Sequence, residues 1–421
     1  MLKNHKYIIS KLEFRMTFLL LVLLEPQFFQ NYSMIHNLYK YLGYLSFIYI
    51  AMLWVNRQFK KGKFGIKKKS GSLYVFILFA CWMLLVCLKN NTPISLYLSN
   101  FVPILGVALW IDYYAEHSVE STLRCLTFVV DIYIIINFAT ILIWPEGLYS
   151  HITEKGSSYY CWFLGYKNPQ IRFFLPAIAF NLCYDFVRYG KIQMRSVLIL
   201  IIVFITESRL DSSTSLVGLF VFCVLYILWG RKEKLRRFFE VLKLSYFYIV
   251  SIVISILIVV FNIQEKFSYI ITETLHRDLT FTNRTFVWSN VLLRITQRPV
   301  WGYGLQTGDV AEYYISATHA HNYMLNLIYT GGVVAFAIIT VLWLISSQRC
   351  KEFFHLKSCK VLMFICASFL IMGITEALTE APLMYPLIIL ISKLEFFKEK
   401  SNVKKGGKIS ASNSEIYHSF N

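Results

Sequence analysis

Long runs of apolar residues recur along almost the whole chain, and they set the narrowest limit on how it can fold. Of the 421 residues, 57% are hydrophobic and 16% are charged. Soluble domains carry about 45–50% apolar and about 25% charged residues. The sequence therefore predicts an all-α integral membrane protein and excludes a soluble enzyme, a disordered chain and a fibrous repeat.

About twelve segments approach the roughly 20 apolar residues that a membrane-crossing helix needs. They lie near residues 12–28, 38–56, 73–89, 94–111, 123–144, 171–187, 196–206, 214–230, 244–262, 322–346, 360–377 and 382–397. The stretch at 196–206 is short, and the stretch at 171–187 contains Arg172 and two further polar residues. Both are expected to face other helices or a water-filled cavity rather than lipid.

The basic residues orient these helices. The net charge of +18 would suggest nucleic-acid binding in a soluble protein. Here Lys and Arg concentrate in the segments 57–69, 231–237 and 401–421, which share one side of the membrane if the N-terminus is inside. Because cytoplasmic loops carry excess Lys and Arg, both termini are predicted to be cytoplasmic, with no nucleic-acid partner. Residues 1–400 form the predicted polytopic membrane domain, and 401–421 form a disordered cytoplasmic tail.

Two long loops, about 145–170 and about 263–321, are predicted on the exported side. The second is rich in aromatic residues, so it is expected to be ordered and functional. The segment Arg284–Gln297 has apolar residues at helical spacing and predicts an amphipathic helix, with Thr282 or Asn283 as its N-cap. This helix is expected to lie in the outer interface or to pack against the helix bundle.

The sequence has none of the familiar motifs for nucleotide or metal chemistry. It contains no GxxxxGK[ST] loop, no GxGxxG, no HExxH, and no D-x-D in an exported loop. The nine cysteines form no CxxC pair and no zinc spacing. We therefore expect no cofactor and no metal, and a substrate that carries its own activation.

Two arginines on the exported side are candidate anion clamps. Arg209 follows the short span, and Arg284 occupies the first turn of the predicted amphipathic helix. A guanidinium offers a fixed fork of donors that suits phosphate oxygens. The alternatives are that Arg209 is solvated or pairs with Glu207 or Asp211, and that Arg284 extends along the apolar surface to reach water at the interface.

Two histidines lie where the second exported loop re-enters the membrane. His321 is the candidate general base, because a neutral imidazole is the natural base near neutral pH. His319 could instead be the active residue. A two-histidine metal site is a further alternative, although no third ligand stands nearby in the sequence.

Three other ionisable residues complete the candidate site. Arg172 opens a span and could contact an anion. Glu376 and Glu380 are one helical turn apart near the outer end of a predicted span, where they could orient the histidine, bind a sugar hydroxyl or lie in the interface. An exported surface with arginines and a histidine suits glycosyl transfer from a lipid pyrophosphate.

Four motifs, in order along the chain, resemble the bacterial O-antigen polymerase and O-antigen ligase superfamily of polytopic membrane glycosyltransferases. They are Glu207-Ser208-Arg209, Arg284 with Trp288, the P-x-x-G-x-G turn at 299–304, and His321-Asn322 followed by Gly331-Gly332. The resemblance is clearest over about 195–345. It implies that Arg209 and Arg284 bind a donor pyrophosphate and that His321 activates an acceptor hydroxyl.

The resemblance also implies a substrate and a location. The protein is expected to join undecaprenyl-pyrophosphate-linked repeat units at the outer face of the bacterial cytoplasmic membrane, with a flippase and a chain-length regulator as pathway partners. Ala335 departs from the ligase pattern and favours a polymerase. A ligase acting on another acceptor and a flippase or transporter of the same lipid-linked sugars are the alternatives.

Overall fold

The computed structural model describes residues 10–60, 71–152, 158–231, 242–263, 284–379 and 381–400. In these ranges the chain forms fourteen α-helices. They are α1 (Lys11–Leu23), α2 (Ser33–Lys60), α3 (Gly71–Lys89), α4 (Ile94–Ala115), α5 (Val119–Ile143), α6 (Ile171–Tyr189), α7 (Met194–Leu210), α8 (Ser213–Arg231), α9 (Leu244–Val259), α10 (Arg284–Gln297), α11 (Gly308–Ile315), α12 (Tyr323–Glu352), α13 (Lys357–Met372) and α14 (Met384–Ile391).

Every predicted span overlaps one of these helices, and the membrane-protein prediction is confirmed in this coarse form. Among the described helices, α2, α3, α4, α5, α8 and α12 contain stretches that are long and apolar enough to cross a membrane. Helix α9 is apolar but shorter. The count of twelve crossings therefore stays a prediction.

Two predicted boundaries were wrong, and both corrections move candidate residues. Helix α7 continues to Leu210, where Asp211 ends it in a left-handed conformation, so Arg209 lies in its last turn. Helix α13 ends at Met372, so Glu376 lies in the connection to α14 and not at the end of a span. Gly373 follows that helix directly, and its amide still bonds to the Phe369 carbonyl at 2.8 Å.

The candidate residues occupy one end of a bundle whose long helices pack lengthwise. Helix α12 packs along α3, α5 along α6, and α13 against α6, α8 and α9. At the opposite end, the fully buried Lys393 ammonium pairs with Asp112 and with Glu116 at 2.9 Å, and Arg57 reaches Asp112 at 2.7 Å. This pairing offsets the cost of burying those charges and joins α2 and α4 to the end of the bundle.

The first predicted exported loop contains a small sheet that the all-α prediction did not include. Strands β1 (Tyr149–Ile152), β2 (Ser158–Trp162) and β3 (Gly165–Tyr166) form an antiparallel sheet in the order β1-β2-β3. Asn137 of α5 attaches the sheet to the bundle, since its Oδ1 accepts from the Leu164 amide at 2.9 Å.

The second predicted exported loop contains α10, with the bounds that its sequence predicts, and the additional helix α11. Helix α10 packs against α12 and α11. The predicted capping residues Thr282 and Asn283 and the tail 401–421 lie outside the described residues.

Candidate functional site

The turn that follows α10 is fitted against the first part of α12. The Tyr303 amide donates to the Tyr329 carbonyl at 2.9 Å, and the Gly304 amide donates to the Thr330 carbonyl at 2.8 Å. Gly332 breaks the helix at this level, with φ of 69° and ψ of −176°. A Cβ on Gly302 would lie 2.6 Å from the Tyr329 carbonyl oxygen. The glycines of both motifs therefore allow two backbones to approach closely, which only glycine permits in this geometry.

Asn322 anchors the start of α12 to two neighbouring elements. Its Oδ1 accepts from the Leu325 amide at 2.9 Å and caps the helix. Its Nδ2 donates to the Ile374 carbonyl at 2.9 Å and to the Ser255 hydroxyl at 3.0 Å. The residue is 1% exposed. The connection that contains Ile374 is thereby fixed beside the histidine that precedes Asn322.

Helix α10 is joined to the histidine segment by a buried tryptophan. The Trp288 indole donates to the Ala320 carbonyl at 3.0 Å, and the ring is 1% exposed. The Ala320 amide in turn donates to the Asn326 side chain at 3.2 Å. Because Ala320 lies between the two histidines, these bonds fix both relative to the helix that begins at Arg284.

The Arg284 guanidinium is directed into the bundle end. It donates to the Thr375 carbonyl and pairs with the Glu376 carboxylate at 3.1 Å. Glu376 is 7% exposed. The Arg284 guanidinium is therefore mostly buried, and Glu376 is its counter-ion.

The two histidines are in contact, with ring centroids 4.1 Å apart. The His321 amide donates to His319 Nδ1 at 3.3 Å, and His321 has a left-handed φ of 48°. Burial and the charge of Arg284 lower the pKa of His321 to about 4. Burial, His321, Arg172 and Arg284 hold the pKa of His319 well below its usual value. Both rings are therefore neutral at neutral pH.

His321 has a free ring nitrogen directed into the protein. Its Nδ1 is buried and has no hydrogen-bond partner among the described residues. Buried polar atoms of native proteins are almost always hydrogen-bonded, so an exception calls for an explanation. A substrate hydroxyl is one partner that would satisfy this atom.

Arg172, in the first turn of α6, lies in the same cluster. Its guanidinium donates to the Ala377 carbonyl at 2.8 Å, next to Glu376 in the chain. Its charge also contributes to the low pKa of His319. The structure thus brings together Arg284, His319 and His321 of the second exported loop with Arg172 and Glu376, which lie at the ends of two other predicted spans.

Arg209 is at the same end of the bundle but outside this cluster. The carbonyl of Asp211 accepts from Lys167 at 3.4 Å, and Ser212 donates to Asn168 at 3.1 Å, so the end of α7 lies against the segment that leads into α6. Arg209 is exposed and forms no ion pair or hydrogen bond within the described ranges. The pairing with Glu207 or Asp211 is therefore not found there. Glu380 lies outside the described residues.

A cavity that the structure shows lies away from these residues, and the described ranges hold no metal cluster. In the described part of the chain, no group of three or more His, Cys, Asp or Glu side chains could hold a metal ion. A cavity of about 940 Å³ is lined by α1, α5, the second half of α6 and the first half of α7, at the other end of the bundle from Arg209. Its walls contain none of the candidate residues.

Sequence reasoning missed the residues that position the cluster. Asn322 stands directly before a long apolar run, which is a sequence signal for an N-cap. Asn326 and Ala320 carry no such signal, because their roles depend on contacts between distant elements.

The fold and this cluster define a polytopic membrane protein that gathers arginines and neutral histidines at one end of its helix bundle. Residues 195–340 match the family model described as O-antigen ligase. This match confirms the resemblance to the O-antigen polymerase and ligase superfamily, and it supports a membrane enzyme of that type. The matched segment includes Arg209, Arg284 and both histidines. No curated protein matches the chain.

Proposed function

We propose that the protein is a polysaccharide polymerase that joins lipid-pyrophosphate-linked oligosaccharide repeat units. The observation that carries this proposal is the buried, unpartnered Nδ1 of His321, whose pKa is lowered by burial and by the charge of Arg284. General base and anion clamp are the two functions that glycosyl transfer from a lipid pyrophosphate requires. His319 lies against His321 and is proposed to contact the substrate as well.

In the proposed reaction, a hydroxyl of the incoming unit attacks the sugar carbon that is bonded to the donor pyrophosphate. A new C–O bond forms, the bond from carbon to the phosphate oxygen breaks, and the lipid pyrophosphate departs with that electron pair. His321 accepts the hydroxyl proton. Arg284, Arg172 and Arg209 bind the phosphates, whose negative charge increases as the bond breaks.

Substrate binding would also make His321 a stronger base. Without substrate, burial and Arg284 lower the pKa of His321 to about 4. A pyrophosphate bound by the arginines would offset the positive charge of Arg284, and the His321 pKa would rise towards its usual value. The base therefore becomes effective when the donor is in place.

We further propose that this end of the bundle faces outward across the bacterial cytoplasmic membrane, with both termini inside. The support is the sequence asymmetry, since the strongly basic segments lie on the side opposite the cluster in this arrangement. Lipid-linked units carried across by a flippase would meet the cluster on that face.

A second candidate is a ligase that transfers a finished glycan to another acceptor. The description of the matching family model as O-antigen ligase favours it. The donor chemistry is the same in both reactions, and only the acceptor differs. The arginine and histidine cluster is therefore common to both candidates.

The test is a gel profile of lipid-linked and surface glycans from a strain that lacks the gene. We expect single repeat units in place of a long ladder, and rescue by wild type but not by Arg284→Ala or His321→Ala. His117→Ala is the matched control, because His117 is exposed at the opposite end of the bundle. A full ladder retained on its lipid carrier would instead identify a ligase, and units trapped inside would identify a flippase.

A further inference from the structure

The β-sheet presents a group of tyrosines to which neither the sequence motifs nor the family match gives a role. Tyr149, Tyr159 and Tyr166 surround Cys161, and we call this group the tyrosine face. Tyr149 and Tyr166 are each paired with Cys161 across the sheet, and Tyr159 lies two residues before it. Side chains at such positions share one face of a sheet. The Tyr159 and Tyr166 rings meet edge to face at 4.9 Å.

The tyrosine face leads directly into the segment that carries Arg172 to the candidate site. Burial, Cys161 and the carboxylate of Glu376 raise the pKa of Tyr166. Independently, Arg172 follows Tyr166 by six residues and donates to the carbonyl of Ala377, the neighbour of Glu376. The segment that leaves β3 therefore carries Arg172 to the connection that holds Glu376, within six residues of Tyr166.

The sheet is held rigidly enough to serve as a binding surface. Gln170 accepts from the Asn137 amide at 2.7 Å and donates to the Gly165 carbonyl at 2.9 Å. The Trp162 indole donates to the Trp144 carbonyl at 2.8 Å. Because these bonds attach β2 and β3 to the end of α5 and the start of α6, the tyrosine rings are positioned in advance, which lowers the cost of binding.

We infer that the tyrosine face is a subsite for a sugar ring of the glycan whose pyrophosphate is bound at Arg284. A sugar ring presents C–H groups on one face and hydroxyls at its edge. A tyrosine offers an electron-rich ring face for the former and a phenolic hydroxyl for the latter. This inference rests on the proposed function for the identity of the glycan.

The competing interpretation is that these tyrosines belong to an aromatic belt at the membrane surface, where Tyr and Trp are enriched. The next residue along β2 separates the two interpretations. Tyr160 projects from the opposite face of the strand and is 52% exposed, compared with 36% for Tyr159. A belt would use both tyrosines, whereas a subsite on the tyrosine face would use Tyr159 alone.

The experiment compares Tyr159→Ala with Tyr160→Ala in the full-length protein reconstituted in phospholipid vesicles. Binding of the free repeat-unit oligosaccharide and binding of inorganic pyrophosphate are measured separately. We expect Tyr159→Ala to weaken oligosaccharide binding about three- to tenfold, the range of a lost aromatic contact. Pyrophosphate binding should stay unchanged, and Tyr160→Ala should match wild type in both measurements.

Equal behaviour of the two variants towards the oligosaccharide would overturn the inference, whether both bind normally or both bind weakly. Tyr159→Phe is the second variant, since it keeps the ring and is expected to lose less binding than the alanine variant. Failure of the proposed function has a different signature. A wild type that binds the oligosaccharide through Tyr159 but forms no polymer would refute the polymerase and leave the subsite standing.

Discussion

Gly332→Ala tests whether the family motifs act by bringing two backbones together. Gly332 has a φ of 69° and a ψ of −176°, a combination that is open almost only to glycine. An added Cβ would lie 2.8 Å from the Trp301 amide nitrogen and closer still to the Val300 carbonyl oxygen. Both contacts are with backbone atoms, so they cannot be relieved by a side-chain rotation. The turn after α10 would have to move.

The energetic cost has two parts before any clash is counted. Holding alanine in this backbone conformation costs about 1–3 kcal/mol. Displacing the turn also breaks the bond from the Val333 amide to the Pro299 carbonyl, which is 2.8 Å long, and a hydrogen bond contributes about 1 kcal/mol. We therefore expect a loss of about 2–4 kcal/mol, together with a shift of α10 and its Arg284.

Thermal unfolding of the detergent-solubilised protein, followed by tryptophan fluorescence, measures the loss of stability. We expect the apparent Tm to fall on the order of 5 °C and glycan transfer to fall about a hundredfold, as for a misplaced catalytic group. Gly230→Ala is the control, because a Cβ there meets nothing within 4 Å. If Gly332→Ala matched Gly230→Ala in both Tm and activity, the close packing of the two motifs would be refuted.

Three further predictions concern the cluster itself. The pKa of His321 is about 4 in the free protein and is expected to rise when pyrophosphate binds. In a pH–rate series, kcat/KM should therefore fall only as the pH drops towards 4, whereas kcat should fall at a higher pH. A fall of both parameters at the same pH would contradict this. Glu376→Gln removes the counter-ion of Arg284, so titration calorimetry should show inorganic pyrophosphate binding about fivefold more tightly, for about 1 kcal/mol of lost pairing; weaker binding would mean that the carboxylate instead orients the guanidinium. Asn322→Ala removes a cap and two buried bonds, so it should lower the Tm more than Ser118→Ala, which removes the exposed cap of α5; equal shifts would show that the buried bonds contribute nothing.

The helices and the candidate residues could be predicted because both are local properties of the sequence. Apolar runs mark α1 to α9 and α12 to α14 wherever they occur, and periodic spacing gives the bounds of α10. Arg284 and His321 are recognisable because an isolated charge or imidazole beside an apolar run needs a reason to be there.

The arrangement of the site could not be predicted in the same way. The pairing of Arg284 with Glu376 joins residues 92 positions apart. The sequence around each residue does not indicate which residue it pairs with. The sheet was missed because its strands are only two to five residues long, too short for a period-2 pattern to show. The motif that contains Gly332 is visible in the sequence. The glycine is needed because the backbone at Val300 and Trp301 lies against it, and that contact exists only in the folded chain.

The decisive measurement is transfer by the purified protein in vesicles, with lipid-linked repeat units as the only substrate and no added nucleotide. Wild type and His117→Ala should form long glycan and release the lipid pyrophosphate at equal rates. His321→Ala should keep the wild-type Tm and lose at least about a hundredfold in rate, the contribution of a general base. A folded His321→Ala protein that polymerises at the wild-type rate would contradict the role of this histidine and the site built around it.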